Sequence, residues 1–179
     1  NLPTKYGQFT IHVYKDDHVA LIKGDVKNHG KVPVRVHSEC MTGDVFSSLR
    51  CDCGDQLNQS LQILSKQKNG VIIYLRQEGR GIGLFNKIKA YDLQEHGLDT
   101  VEANNHLGFA TDNRTYDVAA KILKDLSIGS VQLLTNNPQK VLGLERQGII
   151  VDKISIKSGV NKHNKHYLDT KRDKMGHEL

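Results

Sequence analysis

The sequence predicts a mixed α/β fold, in which N-terminal antiparallel strands are followed by alternating βα units. Two observations carry this prediction. Apolar residues recur with period two in the first third of the chain, and from residue 54 the period lengthens to that of a helix, broken by short continuous apolar runs such as a buried strand requires. Phe9, Ile11 and Val13 share one strand face, residues 19–22 form a second apolar run, and Val32, Val34 and Val36 share one face of a third. These strands are expected to pair antiparallel. Leu57, Leu61 and Leu64 then recur at helical spacing ahead of Gly70 and the apolar run 71–75. Ile82, Phe85, Ile88 and Leu93 lie on a second helix, which Gly97 would close from the C′ position. The clearest helix carries Val118, Ala119, Ile122, Leu123 and Leu126 and leads through Gly129 into a strand at 131–135. Asn137 and Pro138 offer an N-cap and an N1 proline to a helix running through Val141 and Leu144 to Gly148, after which residues 149–156 close as a strand. This alternation from 71 to 156 gathers βα loops at one edge of the sheet. Residues 157–179 are polar and basic, with Lys157, Lys162, Lys165, Lys171, Arg172 and Lys174, and are expected to form a loosely held, mobile tail on a single domain spanning 1–179.

Composition narrows the classes of function. A chain of 179 residues suits one sizeable core, and 37% hydrophobic against 25% charged residues is ordinary for a globular protein rather than a membrane-spanning one. The longest apolar run, 71–75, is far too short to span a bilayer, and no N-terminal stretch reads as a signal peptide. Residue 1 is Asn rather than an initiator Met, so residues upstream of it are expected. Three cysteines, two of them separated by a single residue, make a poor disulfide framework and point to a reducing, cytoplasmic setting. The formal charge of +5 favours an anionic partner, with nucleic acid, acidic membrane and phosphorylated small molecules all compatible.

Three groups of residues carry chemistry. Cys40, Cys51 and Cys53 are spaced so that a turn containing Gly43 brings the first thiolate beside the other two, around a tetrahedral Zn²⁺. Structural zinc sites are closed by four protein ligands, whereas catalytic ones keep a position for water, whose pKa falls to about 7. Two alternatives stand beside this reading: three unrelated buried thiols, and a closed structural site completed by His37. The second group runs from Arg76 through Glu78, Gly79, Arg80, Gly81 and Gly83, between a buried strand and a helix start. Its glycines allow close backbone approach to a phosphate, and its arginines add forked donors. Asp99 and Glu102 lie about 20 residues on, as in a dinucleotide-binding fingerprint, although the third glycine of that pattern is missing. The third group is Asp112 and Arg114 at the entry of the clearest helix, matched by the βα loop from Thr135 to Lys140. These are an N-cap and solvated charges on the plain reading, or a proton acceptor with phosphate partners on the functional one. Two rival functions remain at this point, a zinc-containing nucleic-acid-binding module and a dinucleotide-dependent oxidoreductase. The absence of Trp, the missing Cys-x2-Cys pairs and a ligand set of three count against the first.

Over nearly its whole length the chain resembles the GTP cyclohydrolase II family of riboflavin biosynthesis. The resemblance lies in Leu-Pro-Thr from Leu2, Arg-Val-His-Ser-Glu-Cys from Arg35, Ser-Leu-Arg-Cys-Asp-Cys-Gly from Ser48 and Arg-Gln-Glu-Gly-Arg from Arg76. It continues in Thr-Val-Glu-Ala-Asn from Thr100, Leu-Leu-Thr-Asn-Asn-Pro from Leu133 and His-Tyr-Leu-Asp-Thr-Lys from His166. It implies a single catalytic domain, a homodimeric zinc enzyme that also uses Mg²⁺, and conversion of GTP to formate, pyrophosphate and a diaminopyrimidinone carrying ribosylamine 5′-phosphate. It makes Cys40, Cys51 and Cys53 the zinc ligands. Arg35, Val36, His37, Ser38, Glu39, Gln56, Glu78, Gly79, Arg80, Thr100, Thr135 and Lys140 match nucleotide contacts, Asp112 a proton acceptor and Arg114 a proposed nucleophile. Tyr91 matches a tyrosine that assists ring opening, and members lacking it are thought to stop at a formamide. Gly81, and Thr115 with Tyr116, depart from the family pattern without removing a chemical group. The resemblance implies no nucleic-acid or membrane partner. The residue chemistry agrees in outline, because opening a purine imidazole needs activated water at C8, whereas pyrophosphate loss needs charge neutralised on a triphosphate.

Overall fold

The structure is a computed structural model and describes residues 1–157 and 159–178. Its strands are β1 (Leu2–Thr4), β2 (Gly7–Val13), β3 (Val19–Lys23), β4 (Val32–Ser38), β5 (Gly70–Leu75), β6 (Ser130–Leu134) and β7 (Ile150–Ile154). Its helices are α1 (Met41–Asp44), α2 (Cys53–Ser65), α3 (Gly83–Glu95), α4 (Thr100–His106), α5 (Asp117–Asp125), α6 (Pro138–Glu145) and α7 (Lys165–Met175). They fall into two compact units, each discontinuous in sequence. The first comprises Asn1–His37, Leu57–Arg76 and Thr115–Ile156; the second comprises Ser38–Gln56, Gln77–Arg114 and Lys157–Leu179.

The first unit is built on the sheet, with strand order β1-β2-β3-β5-β4-β6-β7. β1, β2 and β3 form an antiparallel meander, and β3 pairs antiparallel with β5, Ala20 opposite Ile73. β4 departs from the antiparallel expectation, for it pairs parallel with β6, Val32 opposite Val131, and β6 pairs parallel with β7. The period of two was read correctly, but the face opposite the valines is also buried, through Arg35 and His37, and strands covered on both faces belong to the parallel half of a sheet. Alternate residues sort the core. Val71, Ile73 and Leu75 join Ala119, Ile122 and Leu123 of α5 on one face, while Ile72 meets Leu64 of α2 and Leu134 on the other. Helix α6 begins as its sequence predicts, with the Asn137 side chain accepting from the Gln139 N–H at 2.9 Å and Pro138 at the first position.

The second unit relies more on polar contacts. Asp99 caps α4, accepting from the Val101 and Glu102 N–H groups, while Glu102 accepts from the Asp99 N–H to complete a capping box. The two carboxylates that sequence spacing offered to a dinucleotide ribose are thus occupied at a helix N-terminus, and Lys174 of α7 pairs with both. Helix α3 ends at Glu95 with His96 as its C-cap, and Gly97 follows at a φ of 102°, as expected. Its apolar residues do not mark its buried face, however. Phe85 and Ile88 are exposed, whereas Lys87 and Ala90 are buried. The segment read from its composition as a loosely held tail contains the eleven residues of α7, with Leu168, Thr170 and Lys171 buried. None of the described helices is long and apolar enough to cross a membrane.

Candidate active site

Helix α2 opens at Cys53, two residues after Cys51, and Cys40 precedes the single turn α1. The two turns are pressed together, since a Cβ on Gly54 would stand 2.3 Å from the Gly43 carbonyl oxygen, so neither glycine tolerates a side chain without movement. This approach gathers the Cys40, Cys51 and Cys53 Sγ atoms within 4.8 Å of one another, with Cys40 and Cys51 at 3.6 Å. No His, Asp or Glu belongs to this ligand group among the described residues, and His37, the fourth ligand considered above, stacks on Tyr74 at 5.5 Å in the first unit. Hydrogen bonds from Cys51 and Cys53, helped by the nearby Lys87 ammonium, hold Cys40 far below the ordinary thiol range despite its burial. Sharing with that anion pushes Cys51 up to about 12, and Cys53 is raised well above the thiol range for the same reason. A buried trio in which one proton leaves easily and two are retained suits a divalent cation, which replaces the retained protons.

The turn Glu78–Gly81 stands beside the thiols, with Gly79 and Arg80 both in the left-handed region at φ values of 62° and 61°. Glu78 is fully engaged: Oε2 accepts from the Met41 N–H at 2.6 Å, and Oε1 accepts from the Gly79 N–H at 2.7 Å and from Lys87 at 2.8 Å. Lys87 also donates to Cys40 Sγ at 3.2 Å and to Thr42 Oγ1 at 2.9 Å. Burial opposes its charge, but Cys40, Tyr91 and Glu78 outweigh that and keep it firmly an ammonium. One helical turn further along α3, the Tyr91 hydroxyl lies 3.4 Å from Thr42 Oγ1, and the Arg50 guanidinium sits 4.3 Å over the Tyr91 ring. Burial raises the Tyr91 pKa, so the phenol keeps its proton.

Asp112 and Arg114 form a forked pair, with Nε to Oδ1 at 2.8 Å and Nη2 to Oδ2 at 2.5 Å, and the Arg114 N–H also donates to Oδ1. Burial would raise the Asp112 pKa, but hydrogen bonds from Arg114 and the charge of Arg80 lower it on balance. The Arg80 carbonyl accepts from the Asn113 N–H at 3.1 Å, which ties this loop to the glycine turn. The Arg80 Nη1 and Nη2 atoms are buried with no hydrogen-bond partner among the described residues, and the guanidinium lies 5.9 Å from the Tyr167 ring centroid. Such orphaned donors are what an anion would satisfy.

Asp52, between two of the cysteines, is 1% exposed, and its carboxylate accepts from Lys171 at 3.0 and 3.1 Å and from the Gln56 amide at 2.6 Å. Ser38 accepts from the Gln77 amide at 2.9 Å; Glu39 is half-buried, and Thr100 is the first residue of α4. The remaining residues singled out in the sequence lie in the first unit. Arg35 donates to the Leu134 carbonyl at 2.9 Å, Lys140 donates to the Val36 carbonyl at 2.8 Å, and Thr135 accepts from the Asn137 N–H at 3.0 Å. All three side chains are buried. The second unit thus holds the thiols, the glycine turn, Tyr91 and the Asp112–Arg114 pair, all singled out in the sequence. Lys87 and Thr42 are not singled out there, and Asp52 and Lys171 stand inside quoted motifs with no role assigned to them. The one available signal was the i, i+4 spacing of Lys87 and Tyr91, which puts both on one helix face.

Comparison with known proteins identifies the family. The sequence model of the family described as GTP cyclohydrolase II matches residues 1–155. The riboflavin biosynthesis protein RibBA of Chlorobium phaeovibrioides is 54% identical, over 100% of this chain and 45% of that protein. RibBA of Chlamydia muridarum is 56% identical, over 99% of this chain and 44% of its own length. The GTP cyclohydrolase-2 of Picrophilus torridus is 52% identical, over 98% of this chain and 94% of that protein. The chain thus spans about half the length of the RibBA relatives and nearly all of the last. With the family's sequence model matching residues 1–155 and identity above half along the whole chain, this protein belongs to the GTP cyclohydrolase II family.

Proposed function

We propose that this chain is a cytoplasmic, homodimeric GTP cyclohydrolase that converts GTP to formate, pyrophosphate and a diaminopyrimidinone carrying ribosylamine 5′-phosphate, with Zn²⁺ held by Cys40, Cys51 and Cys53 and Mg²⁺ bound with the triphosphate. The observation that carries the reading is the thiol trio within 4.8 Å, on a chain of the GTP cyclohydrolase II family. The donor set fits zinc: three sulfurs, one already poised to be anionic, joined by no fourth protein ligand among the described residues. When bound, the ion supplies Lewis-acid activation of water for attack on the purine.

The remaining steps fall to side chains. Arg80, with two buried donors awaiting acceptors, takes a phosphate group. Arg114 commits two of its donors to Asp112, and a guanidinium of pKa above about 12 is a poor nucleophile, so its part is to hold Asp112 ionised and to neutralise phosphate charge. Asp112 is the proton acceptor, and because Arg114 depresses its pKa, the pair must open as substrate enters before it becomes an effective base. Tyr91, protonated and hydrogen-bonded to Thr42, donates at the opening ring. Glu78 and Gly79 build the turn that aims Arg80. Arg35, Val36, His37, Ser38, Glu39, Gln56, Thr100, Thr135 and Lys140 are assigned to the nucleotide by the family pattern. Incubation of the zinc-loaded protein with GTP and Mg²⁺ should release formate and pyrophosphate in equal amounts. Release of neither, or of pyrophosphate with no formate, refutes the reading.

A further inference from the structure

We propose that Lys87 is a positioning residue of the metal site, one that donates to Cys40 Sγ and thereby balances the charge of three thiolates and quiets the lone pair of that sulfur. The inference rests on the zinc reading above and extends it to a residue outside the ligand set and outside every motif read from the sequence.

Lys87 stands on α3 with only 9% of its surface exposed, on a helix whose Phe85 and Ile88 point to solvent. A lysine so buried needs partners, and this one has an acceptor for each of its three protons: Cys40 Sγ at 3.2 Å, Thr42 Oγ1 at 2.9 Å and Glu78 Oε1 at 2.8 Å. Neutralising Glu78 does not explain this geometry. That carboxylate already accepts two backbone N–H groups, and a buried ion pair kept only for stability is matched or bettered by apolar packing. What the ion pair accomplishes is to fix the ammonium against the sulfur. Glu78 grips the backbone of Met41, the residue after Cys40, while its other oxygen grips Lys87, so ligand and cation are held by one carboxylate. The left-handed turn seats on the lysine stem as well, because a Cβ on Gly79 would lie 3.1 Å from Lys87 Cβ.

The chemical consequence follows from charge. Three thiolates around a divalent cation leave one net negative charge in a buried place, and an ammonium at hydrogen-bond distance offsets it. A hydrogen bond to a thiolate also lowers the energy of the sulfur lone pair. The metal-loaded cysteines should then react slowly with electrophiles, and thiolate-to-metal charge transfer should require more energy.

The test uses the full chain loaded with Zn²⁺ for alkylation by iodoacetamide and with Co²⁺ for absorption. Wild type, Lys87→Met, Lys87→Gln and Lys87→Met/Glu78→Gln are compared, the double variant sparing the fold an unpaired buried carboxylate. Metal content of the wild type is measured first: a protein that retains no stoichiometric metal overturns the zinc reading, and this proposal with it. If metal is retained, the Met variants should alkylate about tenfold faster or more, the loss expected for one charge-assisted hydrogen bond, with the cobalt–thiolate band moved to longer wavelength. Lys87→Gln, which keeps a donor but no charge, should fall between, and it carries the comparison alone should the Met variants not fold. Metal-loaded variants whose alkylation stays within about twofold of wild type and whose band does not move overturn the proposal while leaving the zinc reading intact.

Discussion

Replacing Lys171 with Met tests whether α7 holds the Cys51–Cys53 loop. The Lys171 ammonium lies 3.0 and 3.1 Å from the two oxygens of Asp52, whose side chain is 1% exposed, so the substitution leaves a buried carboxylate without its cation. Breaking a buried pair in this way costs about 3–5 kcal/mol. The Gln56 amide, still donating at 2.6 Å, keeps the loss toward the lower figure. With a urea m-value of about 2 kcal/mol per molar, a loss of about 3 kcal/mol moves the unfolding midpoint down by roughly 1.5 M. The double variant Asp52→Asn/Lys171→Met, which removes both charges, should recover most of that shift, because the penalty lies in the orphaned charge rather than in the lost attraction. Urea unfolding of the three proteins at neutral pH, followed by circular dichroism, reads both quantities. A midpoint for Lys171→Met within about 0.3 M of wild type, or a double variant no better than the single one, refutes the reasoning and returns α7 to the loosely held tail its composition suggested.

Three other outcomes follow from the same geometry. Arg114 lowers the Asp112 pKa in the folded state, so the stability this pair contributes is full above the ordinary aspartate value near 4 and fades as pH falls through the folded value. Asp112→Asn should therefore be less stable than wild type at pH 7 by about 2 kcal/mol and indistinguishable from it once the wild-type Asp112 carboxyl is protonated in the folded as well as the unfolded state; a gap that persists or widens in acid contradicts the assignment. Tyr91→Met should leave pyrophosphate release largely intact while the pyrimidine product fails to form, and equal loss of both in a product assay argues against a step-specific role. Leu123→Ala, at a fully buried position in the sheet core, should lose about 2–5 kcal/mol in thermal or urea unfolding while its kcat under folded conditions is unchanged.

What the sequence made legible was whatever follows from local spacing. The thiol trio was visible because ligand spacing across a glycine turn is a short-range property, and α6 was visible because Asn137 and Pro138 state its start in two residues. The parallel pairing of β4 was not, since Val32, Val34 and Val36 alternate as they would in an antiparallel strand and only tertiary structure buries Arg35 and His37 opposite them. Helix α3 misled for the converse reason. Phe85 and Ile88 are exposed, and beside Ala90 the buried face carries Lys87, which meets a thiol and a carboxylate. Helix α7 reads as a basic tail until Lys171 meets Asp52, a pairing across 119 residues that no local pattern announces. The polar residues to which sequence alone assigns no role, Lys87, Asp52 and Lys171, are those whose meaning lies in a distant partner.

Zinc content measured together with formate release, in wild type and in Cys51→Ser, tests the proposed metal site most directly. One zinc per chain in the wild type, and loss of metal and formate together in the variant, is the predicted result, since a hydroxyl is a far weaker zinc ligand than a thiolate. Undiminished formate from a metal-free Cys51→Ser protein contradicts it.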